Sequence, residues 1–254
     1  MLRKIFSKVS GKSEHQLAND ALRAAVIKGN LPAAAREMAR GADVNAEDAN
    51  RQTPVFLAAT GGYADVLRLL LDRGGKVDAG TPGEGKGTAL LAAMDAGHDD
   101  CARLLMDRGA RHDLTDYDGR SPLHLAVYKG NDALALDILA RGVDVNTQNR
   151  SGNSPLHEAI TNNNETIAIA LVRAGADVAS KDRWGAPAED RAVAKEMKAL
   201  SAAIRDEKER PAREAAAAIA AAEALAAAIA QADTLQSDTA LLPPLQVRRR
   251  IPSP

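Results

Sequence analysis

Cysteine, aromatic residues and excess charge are all scarce in this chain of 254 residues. The single cysteine, Cys101, excludes an internal disulfide and any cysteine-rich zinc site. Aromatics make up 2% of the residues, so the core must be built from Ala, Leu, Val and Ile, which suits small, close-packed helices. The net charge of −1 and the few aromatics offer neither attraction nor stacking for nucleic acid, and we expect no nucleic-acid partner.

Long apolar runs are missing as well. No run approaches the roughly 18 residues that a transmembrane helix needs. The N-terminal stretch MLRKIFSKVSGKSEHQ is basic but has no continuous apolar region and no small-residue cleavage site, so it does not predict a secretory signal. We expect a globular protein located in the cytoplasm, and a monomer.

Two motifs recur along the chain with one period. The first comprises GADVN, GGKVD, GARHD, GVDVN and GADVA, which start at residues 41, 74, 109, 142 and 175, so the intervals are 33, 35, 33 and 33 residues. The second comprises TPVFLA, TALLAA, SPLHLA and SPLHEA, which start at residues 53, 88, 121 and 154, with intervals of 35, 33 and 33. Both motifs share the same irregular interval, which indicates a repeat architecture.

The pattern resembles the ankyrin repeat family, over roughly residues 17–205. The resemblance implies an all-α solenoid of stacked helix-turn-helix units with finger loops, capped at both ends. Each unit buries its apolar face only against its neighbours. The predicted segments are a basic leader (1–16), an N-terminal cap (17–45), four repeats (46–78, 79–113, 114–146, 147–179), a C-terminal cap (180–205), an Ala-rich helix (206–231) and a flexible Pro- and Arg-containing tail (232–254).

Local sequence chemistry agrees with this division. Thr53, Ser121 and Ser154 are suited to cap the N-terminus of a helix, and a proline follows each of them at the first helical position. The glycines at 41, 74, 109, 142 and 175 fall where the second helix should end in a left-handed residue. In the C-terminal cap, Glu196 replaces the usual turn glycine, which predicts that the last two helices run together.

The segment GTPGEGKGT (80–88) has the spacing of a phosphate-binding loop. Such a loop needs a buried strand before it and Ser or Thr directly after the lysine. Gly87 follows Lys86, and the preceding residues are an ordinary repeat end. We therefore interpret the segment as a lengthened finger loop that contains the two extra residues of the 35-residue interval.

No arrangement of residues indicates catalysis, a cofactor or a metal. In the resembled family, the histidines at the positions of His124 and His157 are structural and bond the helix-capping hydroxyl and nearby backbone. Cys101 is expected in the core beside Leu104 and Leu105. We expect no enzyme activity.

The resemblance implies that a protein partner binds to the finger tips and to the exposed ends of the first helices, which form a concave surface. In the early repeats these positions hold small residues such as Ala49, Asn50 and Thr60. In the late repeats they hold residue types that dominate binding energy at interfaces. We call this set the late groove: Tyr117, Arg120, Tyr128, Lys129, Arg150, Arg183 and Trp184. The alternative is that Trp184 packs on the C-terminal cap and that the tyrosines are merely half-exposed.

The two ends carry separate patterns. Residues 2–13 alternate apolar and basic side chains at helical spacing, which suits a disordered leader, a helix on an anionic membrane surface or partner, or a helix packed on the first repeat. Residues 212–231 have high helix propensity, and Pro211 predicts a break before them. Residues 232–254 have no periodic apolar pattern and predict an extended tail.

These patterns together predict a non-catalytic adaptor that binds a protein partner through the late groove. Two alternatives use the same sequence features. One is a secreted effector or toxin-neutralising protein that uses the same groove. The other is a membrane-associated scaffold held through residues 2–13.

Overall fold

The computed structural model describes residues 12–80 and 87–239, with side chains up to residue 224. The predicted leader up to residue 11, the finger-loop residues 81–86 and the tail residues 240–254 lie outside the described residues. Within the described ranges there are twelve helices and no strand, only two isolated β-bridges, Gly80–Thr88 and Lys181–Pro187. The predicted all-α fold is confirmed.

The helices occur in pairs at the predicted period. The N-terminal pair comprises α1 (Glu14–Ile27) and α2 (Leu31–Ala39). The first helices of the next five units have seven residues each: α3 (Pro54–Thr60), α5 (Ala89–Asp95), α7 (Pro122–Tyr128), α9 (Pro155–Thr161) and α11 (Ala188–Ala194). Four second helices have nine residues each: α4 (Ala64–Asp72), α6 (Asp99–Asp107), α8 (Asp132–Ala140) and α10 (Glu165–Arg173). The final helix, α12, spans Lys198–Thr239.

One position in each second helix shows how the core is built. First helices stack on first helices and second helices on second helices, so the same repeat position meets itself in the next unit. Leu70, Leu105, Ile138 and Leu171 occupy this position and are completely buried. Ile204, 33 residues after Leu171, is 6% exposed. The start of α12 therefore serves as the second helix of the C-terminal cap, and the chain divides into two compact units between Ile204 and Arg205.

The turn between the last two helices of the cap is retained without a glycine. Glu196 adopts φ 57°, close to the φ of 58° at Asn163 in the preceding unit. Helix α11 ends at Ala194 and α12 begins at Lys198. The prediction that these helices run together is wrong, because stacking of Met197 and Leu200 in the core outweighs the modest cost of a left-handed non-glycine residue.

The predicted break at Pro211 is also wrong, since α12 continues through it to Thr239. Residues 232–239 are therefore helical instead of extended. Arg213 spans the proline with ion pairs to Asp206 at 2.5 Å and Glu209 at 2.6 Å. The surrounding residues are strong helix formers, so one missing N–H donor does not end the helix.

Replacing Pro211 with Ala should increase helix content. An interior proline disfavours a helix by about 3 kcal/mol relative to alanine. We expect a more negative circular dichroism signal at 222 nm for Pro211→Ala. Pro32 lies in the first turn of α2, where proline is tolerated, so Pro32→Ala is the matched control and should change the signal little. An unchanged signal in Pro211→Ala would show that the proline does not limit this helix.

Two buried histidines tie the first helices α7 and α9 to the next finger loop. The backbone N–H of Ser121 donates to Nδ1 of His124 at 3.3 Å, so Nδ1 is unprotonated. The proton therefore resides on Nε2, which donates to the carbonyl oxygen of Asn153 at 2.9 Å. His157 repeats the arrangement with Ser154 and the carbonyl oxygen of Ala186 at 3.4 Å. The side chains make the structural contacts that the family resemblance implied.

Burial lowers the pKa of both His124 and His157, although the hydrogen bonds to Asn153 and Ala186 partly offset it. In the unfolded chain a histidine titrates near pH 6.5. Between the folded-state and the unfolded-state pKa, the unfolded chain binds more protons than the folded protein. The free energy of unfolding therefore rises with pH across that range. The neutral histidines thus contribute stability that is complete above about pH 6.5 and is lost as pH falls toward the folded-state pKa.

We expect the free energy of unfolding to decrease between pH 7.5 and 5.5, by up to about 1.4 kcal/mol per pH unit for each histidine. Urea denaturation at several pH values measures this slope. The double variant His124→Asn, His157→Asn should have a shallower slope, with a remainder from His112, whose pKa burial also lowers. Equal slopes in the variant and the parent would contradict the assignment.

Candidate protein-binding surface

Each finger tip is fixed by one Asp or Asn side chain. Oδ1 of Asp116 accepts hydrogen bonds from the backbone N–H groups of Asp118 at 2.9 Å and Arg120 at 2.8 Å. The same pair of bonds, to the residues two and four positions later, recurs at the equivalent positions of the other described fingers: Asp48, Asn149 and Asp182. This arrangement is an Asx-type turn, which holds the intervening residues at the tip.

Successive late fingers are joined through their backbones. The N–H of Arg150 donates to the carbonyl oxygen of Asp118 at 2.8 Å, and the N–H of Arg183 donates to that of Ser151 at 3.2 Å. The close approach requires glycine, since a Cβ on Gly119 would lie 3.1 Å from the Arg150 nitrogen and one on Gly152 would lie 2.8 Å from the Arg183 nitrogen. Adjacent tips therefore have a fixed spacing and register.

Tyr117 and Arg150 form a pair across two neighbouring fingers. The guanidinium carbon of Arg150 lies 4.6 Å from the centroid of the Tyr117 ring. Tyr117 is 57% exposed, so it is not buried in the core. A cation–π contact at an exposed site contributes about 0.5–1 kcal/mol and restricts both side chains.

Trp184, on the C-terminal finger, contacts two arginines. Arg183 is 4.9 Å and Arg191 5.7 Å from its ring centroid. The indole is 68% exposed, so most of its surface is not covered by the cap. Sequence reasoning missed Arg191, because it belongs to helix α11 and its position relative to the finger depends on how the loop folds back.

Arg191 also anchors this finger through Asp182, whose carboxylate is completely buried and ion-paired with it. Burial raises the pKa of Asp182, but hydrogen bonds from the backbone N–H groups of Ala186 and Trp184, together with the charge of Arg191, outweigh it and hold the pKa below its usual range. The carboxylate therefore stays ionised. Arg191 is thereby held beside Trp184.

The remaining late-groove residues are partly engaged within the protein. The guanidinium of Arg120 lies 5.1 Å from the Tyr128 ring centroid and is paired with Asp116 at 2.7 Å. Lys129 donates to the carboxylate of Asp95 at 2.8 Å. Tyr128 is 51% exposed, and Lys129 is exposed beside it.

A pocket of about 270 Å³ opens beside Tyr117, between the fingers and the first helices. Its apolar floor is formed by Phe56, Leu91 and Leu125. Asp95 and Asp116 also line it, and both are paired with cations, Lys129 and Arg120 respectively. Tyr117 and Arg120 also line the pocket, so it is continuous with the late groove.

The early groove offers less to a partner. Asn50 is exposed, whereas the hydroxyl of Thr60 already donates to the carbonyl oxygen of Phe56 at 2.8 Å. Among the described residues, the aromatic side chains that are more than half exposed are Tyr117, Tyr128 and Trp184. All three lie in the late groove.

The other residues that the sequence singled out have structural roles in the described part of the chain. The segment before Gly80 forms no strand, and Thr88 closes the loop by capping α5 through the Leu91 N–H at 3.4 Å. Cys101 is fully buried, and burial, with a contribution from Asp100, raises the pKa of its thiol to about 11, which keeps it unreactive. Over the described ranges no cluster of His, Cys, Asp or Glu could hold a metal ion, and no helix there is long and apolar enough to cross a membrane.

Comparisons with known proteins agree with this geometry. The family model for ankyrin repeats (three copies) matches residues 22–116 and 90–182. The chain is 36% identical over 72 residues to protein phosphatase 1 regulatory subunit 27 of Mus musculus, which covers 28% of this chain and 47% of that protein. The chain thus spans about half the length of that relative.

Two further comparisons concern ankyrin repeat proteins of bacteria. A putative ankyrin repeat protein of Rickettsia felis is 35% identical over 65 residues, covering 26% of this chain and 98% of that protein. The crystal structure of an ankyrin repeat domain from Acinetobacter baumannii superposes with a TM-score of 0.68 at 21% identity, covering 74% of this chain and 97% of that one. The matched repeats, the helix pairs and the finger loops together identify the chain as a member of the ankyrin repeat family.

Proposed function

We propose that this protein is a non-catalytic adaptor that binds a protein partner through the late groove. The observation that carries the proposal is that Tyr117, Tyr128 and Trp184 are more than half exposed and that each has an arginine guanidinium over its ring. Trp, Tyr and Arg are the residue types that contribute most at protein interfaces.

The arginine contacts make these aromatics favourable for binding. A side chain that is already restricted in the free protein loses less conformational entropy when a partner covers it. The Asx-type turns at Asp116, Asn149 and Asp182 hold the tips in place as well. The late groove is therefore preorganised, and the exposed rings supply the apolar area.

The comparisons support an interaction role in general terms. Ankyrin repeats are typically non-catalytic modules that mediate contacts between proteins. The mouse relative is named as a regulatory subunit of a phosphatase. A cytoplasmic location is part of the proposal, since the single buried cysteine is compatible with a reducing compartment.

Removing the exposed aromatics should weaken partner binding without unfolding the protein. We expect Tyr117→Ala, Tyr128→Ala and Trp184→Ala each to lose about 2 kcal/mol, or roughly thirtyfold in affinity. The partner is to be captured on the immobilised full chain and identified by mass spectrometry. Dissociation constants for it are then measured by calorimetry, with melting temperatures for every variant.

Two controls separate the late groove from the rest of the surface. Leu136 is 45% exposed on the second helix α8, and Leu136→Ala removes apolar area away from the groove. Asn50→Ala tests the early groove. Both should bind like the parent. Parent-like affinity in all three aromatic variants would overturn the proposal, and a large loss of melting temperature in Trp184→Ala would assign that residue to the cap.

A further inference from the structure

Arg150 and Arg183 occupy the same position on successive fingers, 33 residues apart. Each stacks on an aromatic ring, and in the described part of the chain neither guanidinium has a carboxylate partner. Arg120 and Arg191 differ, since Asp116 and Asp182 neutralise them. One of these guanidinium groups lies over Tyr117 of the preceding finger and the other over Trp184 of its own finger.

The contact with an aromatic ring determines which ligand these two guanidinium groups can bind. A guanidinium held over a ring face by its charge does not use up its N–H donors, which stay available to a ligand. The planar donor pair matches the two oxygens of a carboxylate and forms parallel, charge-assisted hydrogen bonds. Tyr117 and Trp184 hold the guanidinium groups in place, so a carboxylate would bind without reorganising them.

The pocket beside Tyr117 has a different preference. Its apolar lining consists of Phe56, Leu91 and Leu125, and its two carboxylates are already paired, Asp95 with Lys129 and Asp116 with Arg120. Because Arg120, the cation in the lining, is engaged in this way, the pocket suits an apolar side chain better than an acidic one. The groove therefore changes along its length from an apolar pocket to two basic fingers.

The spacing of the fingers limits the ligand further. Stacked helices are about 8–10 Å apart, and adjacent fingers follow the same repeat. An extended polyproline II segment advances about 3.1 Å per residue and returns to the same face every third residue, so residues i and i+3 are about 9 Å apart. Two acidic residues three positions apart therefore match the spacing of one repeat, which separates the fingers of Arg150 and Arg183.

We propose that the late groove recognises an extended acidic segment of its protein partner, with an apolar residue in the pocket beside Tyr117 and one carboxylate on each of Arg150 and Arg183. This inference rests on the proposed function and specifies the chemistry of the partner. Complementarity of charge between the two fingers and the ligand selects an acidic protein segment over a basic one.

The test is a selection of random twelve-residue peptides displayed on phage against the immobilised full chain. We expect enriched peptides to carry an apolar residue and two Asp or Glu residues three positions apart. Synthetic versions are then titrated by fluorescence anisotropy. Replacing their acids with Asn or Gln should weaken binding at least tenfold.

Matched variants of the protein locate the contact. Arg150→Glu and Arg183→Glu should each weaken the acidic peptide at least tenfold, and Arg150→Lys should weaken it less because the charge remains without the planar fork. Arg173 is exposed on the second helix α10, and Arg173→Glu makes the same charge change outside the groove. It should bind like the parent.

Three results would overturn the inference. The first is that the selection yields no peptide, or peptides without the acidic pair. The others are an equal loss of peptide affinity in Arg173→Glu and Arg150→Glu, and binding of phosphatidylserine vesicles in preference to the peptides. Its failure is distinguishable from failure of the proposed function. If the captured partner still depends on Tyr117 and Trp184, the adaptor role stands and only the acidic ligand is wrong.

Discussion

The late fingers depend on hydrogen bonds that join the first helices α7 and α9 to the finger loop of the following unit. His124 and His157 make these bonds while completely buried, so they have to remain neutral and in one tautomer. Without them the Leu and Ile side chains could still stack, but these two finger loops would lose their side-chain bond to the preceding first helix. The fingers that these bonds hold are the two that carry Arg150, Arg183 and Trp184.

The finger tips hold their side chains in fixed positions and so form a surface of defined chemistry. Gly119 and Gly152 allow neighbouring backbones to come within hydrogen-bond distance, and this contact places Arg150 beside Tyr117 of the preceding finger. Aromatic residues are scarce in this chain, and the three that are most exposed all have arginine partners. The Arg150–Tyr117 pair joins two repeats and therefore depends on the stack, whereas Arg120–Tyr128 and Arg183–Trp184 each lie within one unit.

The repeat register could be predicted from the sequence because turn glycines, capping hydroxyls and apolar positions recur at a common interval. Predictions from local residue preferences were wrong where contacts elsewhere in the structure outweighed those preferences. Pro211 lies within a helix because its neighbours are strong helix formers bridged by Arg213, and Glu196 adopts the turn conformation because Met197 and Leu200 are buried after it. The pairing of Arg191 with Trp184 was not predictable, since it depends on how far a finger folds back over its own helix.

The candidate site and the C-terminal cap share residues, so binding and local stability are coupled. Arg191 neutralises the buried carboxylate of Asp182 and also lies over the ring of Trp184. Asp182 in turn accepts the backbone hydrogen bonds that shape this finger. A partner that covers Trp184 would remove water from the Arg191–Asp182 ion pair and strengthen its attraction, since charges interact more strongly in a less polar environment. Binding at the late groove should therefore also stabilise the last repeat, because a ligand that binds only the folded state shifts the unfolding equilibrium toward that state.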